Sequence, residues 1–355
     1  MRVGLTLYGS IAERSGGFRY DRKLVEGLRR AGDTVELVEL PWRDYHRGLL
    51  DNGSRELRRR LDVDVDVMLQ DELAHPSLVH TNRELSYPIV SVVHHLRASE
   101  PRRLAPLYRA VERRYLATLD AAVCNSATTQ SVVADLGVDT DETVVAPPAG
   151  DRFDPTIDDA TIDRRAHTDP LRVVFVGNIT PRKGLDTLVD GVAVADADID
   201  LTVVGNPADE GHVEAVRASV REHDLSDSVY FAGRLSDDDL ANVLESSHAV
   251  TVPSRYEGFG IVYLEGMSFG LPALATRAGG ASDIVTDDET GALVDPDDPA
   301  AVARELDRLA ADRDRLAAMG RAARDRYERH PDWTETTARV RRLLADVART
   351  TEVPA

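Results

Sequence analysis

PSRYEGFGIVYLEG, residues 253–266, places two glutamates, Glu257 and Glu265, eight positions apart around a glycine turn. The residues leading into it, AVTVPS (249–254), read as a buried strand, RYEGFG as a turn and IVYLEGMSFG as a helix. The turn then lies at the carboxyl end of a parallel strand, where open α/β sheets bind their ligands. Its glycines let backbone approach a ligand closely, and the helix N-terminus offers unpaired N–H groups to an anion. Glu257 sits in the turn and Glu265 in the second helical turn, so both can face one ligand. Two carboxylates beside an anion site make sense if that ligand also presents hydroxyls, because an ionised carboxylate accepts hydrogen bonds from sugar and ribose OH groups. A nucleotide-sugar, with a diphosphate flanked by two polyols, meets both demands.

The same strand–turn–helix pattern runs along the rest of the chain. RVGLTLY (2–8) reads as a buried strand. It leads into a loop with Gly16 and Gly17, and then into an amphipathic helix carrying Leu24, Val25 and Leu28 that ends near Gly32. TVELVEL (34–40) is the next strand, with others expected at 65–70, 89–94, 121–124 and 143–146. DRFDPTIDDATIDRRAHTDP (151–170) is polar, acidic and bracketed by prolines, and reads as an interdomain linker. LRVVFVGN (171–178) then restarts the pattern, with a helix from about 184 and strands at 200–205, 229–233, 249–254 and 272–276. SDDDLANVLESS (236–247) is a helix with Ser236 as N-cap and aspartates in its first turn, where they complement the dipole. The fold class is α/β, with two Rossmann-like doubly wound domains at 1–160 and 170–332. They are expected to face each other across a cleft, the usual place for a ligand. A chain of 355 residues is long enough for two such cores.

Composition narrows the class. A formal net charge of −19 argues against a general nucleic-acid binder. Of 43 basic residues only Lys23 and Lys183 are lysines. Excess acid with almost no lysine points to a surface built for a high-salt, halophilic cytoplasm, where screening limits self-repulsion. The single cysteine, Cys124, rules out an intrachain disulfide. No stretch approaches the roughly 20 apolar residues of a membrane span, and MRVGLTLYGS is too short an apolar run for a signal peptide. The expectation is a cytoplasmic protein, with possible peripheral contact at the inner face of the membrane.

A second motif, VGNITPRKGLDTLV (176–189), is again a strand, a glycine turn and a helix. Arg182 and Lys183 sit at the turn, and a compact ammonium on a flexible stem suits phosphate. Together these stretches resemble the retaining family 4 of GT-B glycosyltransferases (glycosyl transferases group 1). EGFGIVYLE is similar to that family's E-x7-E motif, and VGNITPRKGLDTL to its glycine-turn segment ending in Lys-Gly. AGGASDIVTDDETGALVDPDDPAAVA (278–303), PIVSVVHH (88–95) and CNSATTQSVV (124–133) resemble further parts of it.

The resemblance implies roles. Glu265 would bind the donor ribose. Glu257 would hold hydroxyls of the donor sugar, with backbone N–H groups of Gly258, Phe259, Gly260 and Ile261 near sugar and phosphate. Lys183 would neutralise the diphosphate. Relatives often carry Arg where this chain has Asn178, and Arg182 is the candidate to take its place. His94, with His95 as its rival, matches the histidine that reaches the transferred sugar. Gly16 and Gly17 would let the first loop close over the diphosphate. The family retains anomeric configuration without a clear protein nucleophile; leaving-group charge would be met by Lys183, Arg182 and backbone dipoles, so no metal and no cofactor beyond the nucleotide-diphospho-sugar donor is expected. The acceptor would be a glycan or a lipid-linked molecule held by the N-terminal domain, and the final helix (333–355) would cross back to that domain.

Other features are less decisive. DVDVDV (62–67) contains Asp-x-Asp, a metal motif of another glycosyltransferase fold, but its alternation fits a polar approach to the strand VMLQ. RASEPRRLAPLYRAVERR (97–114) carries six arginines and two glutamates, with Leu104, Leu107, Tyr108, Val111 and Tyr115 at helical spacing. It reads either as an amphipathic helix packed on the domain or as a basic face for anionic lipid. A GT-B nucleotide-sugar epimerase and a non-catalytic nucleotide-sugar-binding protein are the alternatives to a transferase. A dinucleotide dehydrogenase is disfavoured, since no G-x-G-x-x-G follows either first strand.

Overall fold

The computed structural model describes residues 1–13, 15–99 and 104–352. The chain divides into two compact units: Met1–Ala149 together with the chain from Pro331 onward, and Gly150–His330. The first is built on six parallel strands: β1 (Arg2–Tyr8), β2 (Thr34–Leu40), β3 (Val67–Asp71), β4 (Ile89–Val93), β5 (Ala121–Cys124) and β6 (Thr143–Val145). Their spatial order is β2-β1-β3-β4-β5-β6, with Leu5 of β1 in register with Leu37 and Leu69 on either side. β3 and β4 are buried along their whole length, as a parallel sheet covered by helices on both faces requires. Val3, Leu5 and Leu7 pack against one helical layer, while Tyr8, Met68 and Val93 face the other.

The second unit repeats the plan with β7 (Leu171–Val176), β8 (Ile199–Val204), β9 (Val229–Gly233), β10 (Ala249–Thr251), β11 (Ala273–Thr276) and β12 (Gly291–Val294). The order is β12-β11-β10-β7-β8-β9, so β7 and β10 are neighbours although far apart in sequence. Strand order reverses beside β1 and beside β7, and ligands in doubly wound sheets bind outside the carboxyl ends at such reversals.

Three expectations need correction. Gly16 and Gly17 are not loop residues. They open the helix Gly16–Arg30, because the Ser15 hydroxyl accepts a hydrogen bond from the Phe18 N–H and caps it one turn earlier. Residues 151–170 are not a linker. The helix Asp159–Ala166 packs on the helix Arg313–Glu328, Ile162 is buried, and the Arg165 guanidinium donates to the carbonyls of Phe269 and Gly270 at 2.9 and 2.8 Å. The acidic residues of this segment lie on the outer face, which is why its average composition resembles a tether. The units accordingly end at Ala149 and His330 rather than near 160 and 332. β12, in the stretch 278–303, was not anticipated.

The basic segment 97–114 forms the helix Ala105–Leu116 in its later part, while residues 100–103 lie outside the described residues. Tyr108, Val111 and Tyr115 are buried, as is Glu112, whose carboxylate accepts the N–H groups of Arg97 and Ala98. Leu104 and Leu107 remain exposed. Among the described residues no helix is long and apolar enough to cross a membrane.

The helix Trp333–Glu352 belongs to the first unit. Trp333, Val340 and Leu344 share a core with Leu24 and Leu28 of Gly16–Arg30, and a Cβ on Gly27 would collide with Thr337. Arg341 donates to Asp33 at 2.7 Å, and Asp33 also takes the N-terminal ammonium at 3.2 Å. Leu344→Ala should therefore lower unfolding free energy by about 2–5 kcal/mol in a denaturant titration, the usual cost of a buried leucine. A loss below about 1 kcal/mol would show that this helix is not part of the core.

Candidate functional site

In the second unit the chain leaves β10 and turns through 253–260 before the helix Ile261–Ser268. The wall of this turn is the segment 278–280. The Glu257 N–H donates to the Ala278 carbonyl at 3.2 Å, and the Gly280 N–H to the Glu257 carbonyl at 2.7 Å. Gly279 has φ 92°, and a Cβ there would strike the Glu257 backbone, so both backbone shape and space demand glycine. Gly258, Phe259 and Gly260 are buried between the two glutamates, Ile261 is half-buried, and Gly260 turns the chain into the helix with φ 92°. The Tyr263 hydroxyl then pins that helix to the strand by donating to the Val252 carbonyl at 2.7 Å.

Lys183 arrives from the neighbouring strand β7. The short turn Pro181–Lys183 ends at Gly184, which adopts a left-handed conformation (φ 67°) and packs where a Cβ would collide with the Pro253 carbonyl. This brings Lys183 Nζ to 2.5 Å from Glu257 Oε2, and Ser254 Oγ donates to the same oxygen at 3.2 Å. Arg182 Nη1 lies 3.6 Å from Glu257 Oε1 and donates to the Tyr256 carbonyl at 2.9 Å. Lys183 and Glu257 are only 13% and 12% exposed in their side chains, so each charge depends on the other. Asn178 is exposed, just past Gly177.

Glu265 is buried in the helix Ile261–Ser268 and meets a residue that sequence reading missed. Arg152 Nη1 lies 3.5 Å from Glu265 Oε2, while its Nη2 donates to Asp237 at 2.7 Å. The guanidinium is steadied over the Phe153 ring. Arg152 falls in the segment read as a linker, and no local pattern marks it. Only the packing of 150–166 onto the second unit reveals it.

The first unit gathers a second cluster at the carboxyl ends of β3 and β4. His94 is held from several directions. Its N–H donates to Glu72 Oε2 at 2.9 Å, and its carbonyl accepts from Asn125 at 2.9 Å. Tyr20 lies edge-on to the ring at 5.1 Å. A Cβ on Gly17 would sit 3.4 Å from His94 Cδ2, whereas one on Gly16 would meet open space, so the two glycines differ in what they make room for. His94 Nε2 faces Asp21 Oδ1 at 3.4 Å. His95 instead lines a separate cavity with Tyr8, Trp42, Tyr45, His75 and Arg97.

Burial pulls the His94 pKa down, but the hydrogen bond to Asp21 and the charges of Glu72, Asp21 and Asp71 outweigh it and raise it to about 9. Burial, then the charges of Asp21 and Glu72, push the Asp71 carboxyl well above its ordinary value, and burial also raises Glu72. Asp21, Asp71 and His94 bring one potential ligand atom each within 4.8 Å of one another, the one such group among the described residues. The Asp-x-Asp of 62–67 has a structural use, since Asp64 and Asp66 both pair with Arg2.

Two family models match the chain: "Glycosyl transferases group 1" over residues 158–326 and "Glycosyltransferase Family 4" over residues 14–151. The chain is 31% identical over 304 residues to a D-inositol 3-phosphate glycosyltransferase of Salinispora tropica, covering 74% of this chain and 62% of that one. It is 30% identical over 305 residues to the Salinispora arenicola protein of the same name, covering 74% and 67%. It spans 55–62% of the length of the first curated relatives it matches. A sucrose-phosphate synthase of Thermosynechococcus elongatus superposes with a TM-score of 0.83 at 21% identity, covering 98% of this chain and 99% of that one. Anabaena HepE, solved in complex with UDP-glucose, superposes with a TM-score of 0.76 at 15% identity, covering 98% and 100%. With two parallel six-stranded sheets and these matches, the chain belongs to the group 1, family 4 glycosyltransferases and has their GT-B fold.

Proposed function

We propose that the protein is a retaining, hexosyltransferase-type enzyme. It would move a sugar from a nucleotide-diphospho-sugar to a glycan, glycolipid or lipid-linked acceptor in cell-surface glycan synthesis. The observation that carries this reading is the 2.5 Å Lys183–Glu257 pair at the carboxyl ends of β7 and β10. A cation for phosphate and a carboxylate for hydroxyls stand together, on glycine turns that admit a ligand. A neighbour solved with UDP-glucose supports the donor class, and relatives named D-inositol 3-phosphate glycosyltransferase support glycosyl transfer.

Donor binding would exchange partners. Lys183 would turn from Glu257 to the diphosphate, with Arg182 beside it, and Glu257 would take sugar hydroxyls in its place. Backbone N–H groups from Gly258 to Ile261 would meet sugar and phosphate. Glu265 would bind ribose hydroxyls, oriented by Arg152. The acceptor hydroxyl would attack from the leaving-group face, with a donor phosphate oxygen taking its proton. The bond from the anomeric carbon to the diphosphate breaks as the new glycosidic bond forms. The protein contributes positioning and charge stabilisation, which are commonly the dominant catalytic terms, and no metal or further cofactor enters this scheme. His94 would reach the transferred sugar. The reading places the enzyme in the cytoplasm, with segment 97–114 against anionic lipid, a reading supported by the exposed Leu104 and Leu107.

Two measurements test it. A thermal-shift panel in molar salt with UDP-, GDP-, ADP- and dTDP-sugars should show stabilisation by one nucleotide class, UDP first, because ligand binding favours the native state. The shift should vanish in Glu265→Ala and in Lys183→Ala, each shown folded by circular dichroism. No shift with any donor would move weight to a non-catalytic protein, and binding with sugar inversion but no transfer or hydrolysis would favour an epimerase. Arg152→Ala should weaken nucleotide binding by about tenfold through loss of one charge-assisted contact to Glu265. Unchanged affinity by calorimetry would remove Arg152 from the site.

A further inference from the structure

We propose that Asp21 is a positioning residue that holds the His94 ring and keeps it doubly protonated, so that the first unit presents an imidazolium donor rather than a neutral base. This deepens the transferase reading above and rests on it for the step in which His94 meets substrate.

The geometry begins with an imbalance. Three carboxyl groups, Asp21, Asp71 and Glu72, are 0%, 3% and 5% exposed around one imidazole. They come from different elements: Asp21 from the helix Gly16–Arg30, Asp71 from the end of β3 and Glu72 from the turn after it. Tyr20 faces the ring edge-on, and His95 follows it along the chain. Glu72 is committed to the His94 N–H, and Asp71 to the Leu73 N–H at 2.9 Å. Asp21 has nothing comparable. Its Oδ2 is buried without a hydrogen-bond partner, its Oδ1 faces His94 Nε2, and the other group close to it, Asp71, is another acid. A buried carboxylate this poorly solvated is costly unless a positive charge lies beside it. The imidazole is the group placed to supply that charge.

The ring is also prevented from turning away. Tyr20 is anchored by its hydroxyl to the Ala146 carbonyl at 2.8 Å, and its ring closes one side of His94. Gly17 lies along the Cδ2 edge of the ring, which a Cβ there would meet at 3.4 Å. With Nε2 committed to Asp21, Nδ1 is the nitrogen left to meet a ligand, and in the imidazolium it is a donor. A fixed cationic donor strengthens a hydrogen bond to a sugar hydroxyl or a phosphate oxygen. It cannot act as a general base.

Two readouts test the dyad on the full chain in molar salt. The first is NMR titration of histidine-labelled protein, with His94→Gln used to assign the signal. Wild-type His94 should hold its proton until pH approaches about 9, in keeping with its raised pKa. A wild-type His94 that titrates in the ordinary range near 6.5 would overturn the proposal, with no variant required. In Asp21→Asn, which keeps the side chain's size, the titration should fall by about two pH units.

The second readout is the pH profile of kcat/KM with the donor identified above. The alkaline limb should follow the same fall, because activity needs the protonated ring. Asp21→Asn would then keep most of its activity at pH 6 and lose about tenfold relative to wild type at pH 8. An alkaline limb that does not move in Asp21→Asn would assign Asp21 a structural role only and sink the proposal. If wild type transfers no sugar at all, the transferase reading fails, while the NMR titration still decides whether Asp21 holds the proton on His94.

Discussion

The ion pair between Lys183 and Glu257 depends on a single topological fact: β7 and β10 are adjacent although some 75 residues separate them. Their carboxyl-end loops are therefore pressed together, and the chain is shaped to tolerate it. Gly184 lies against the Pro253 carbonyl, where no side chain fits. The Arg255 N–H donates to the Arg182 carbonyl at 2.8 Å, and the Arg182 guanidinium donates back to the Tyr256 carbonyl at 2.9 Å. Arg255 also binds the Pro181 carbonyl and pairs with Asp186 at 2.7 Å. Two loops from distant parts of the sequence thus form one rigid rim, and the glutamate and lysine on it are held before any ligand arrives. That preorganisation is what makes a charged site effective.

The acidity of the chain makes its few buried carboxylates informative. Most aspartates and glutamates lie on the surface, where screened pairs contribute little to stability. Inside, Asp71, Glu72 and Glu112 are met by backbone N–H groups, while four others have a matched cation: Asp33 has Arg341, Glu257 has Lys183, Glu265 has Arg152 and Asp21 has His94. The first pair fastens the last helix to the first unit. The other three lie where the fold expects ligands. A buried pair is a weak source of stability, since desolvation offsets most of the attraction. Three such pairs at the carboxyl ends of two sheets are better explained by what they do with a ligand than by what they add to folding.

What the sequence made legible follows from distance along the chain. Glu257, Glu265 and the glycines between them lie in one continuous stretch, as do Arg182 and Lys183, so their spacing carried the reading. The strands were legible because parallel strands buried on both faces leave near-continuous apolar runs, as in β4 and β7. The partners of those residues were not legible. Arg152 acts on Glu265 from 113 positions away, and Asp21 on His94 from 73. Residues 151–170 misled because four buried side chains, Phe153, Ile162, Arg165 and Ala166, are diluted among acids that face solvent. Gly16 and Gly17 misled because adjacent glycines usually mark a loop, whereas here the Ser15 cap starts a helix on top of them.

The choice of lysine at 183 is informative in the same physical terms. The chain uses arginine almost everywhere else, so arginine would be the expected cation on this rim. A guanidinium is a broad planar fork that seeks two acceptors at once. The space here is narrow: the Lys183 stem runs over Gly177, with Cε 3.6 Å from where a Cβ on that glycine would lie, and its head meets a single carboxylate oxygen. A slim four-carbon stem with a compact charge fits that path and can swing its ammonium from one acceptor to another. Arginine is used at 255, where the group ties loops together through the Pro181 carbonyl and Asp186, and at 182, which holds the Tyr256 carbonyl and in the proposed scheme stands beside Lys183 at the diphosphate. The rim therefore divides its cations by task. Arg255 makes the fixed ties, and the one lysine occupies the position where, in the proposed exchange, a charge would change partners.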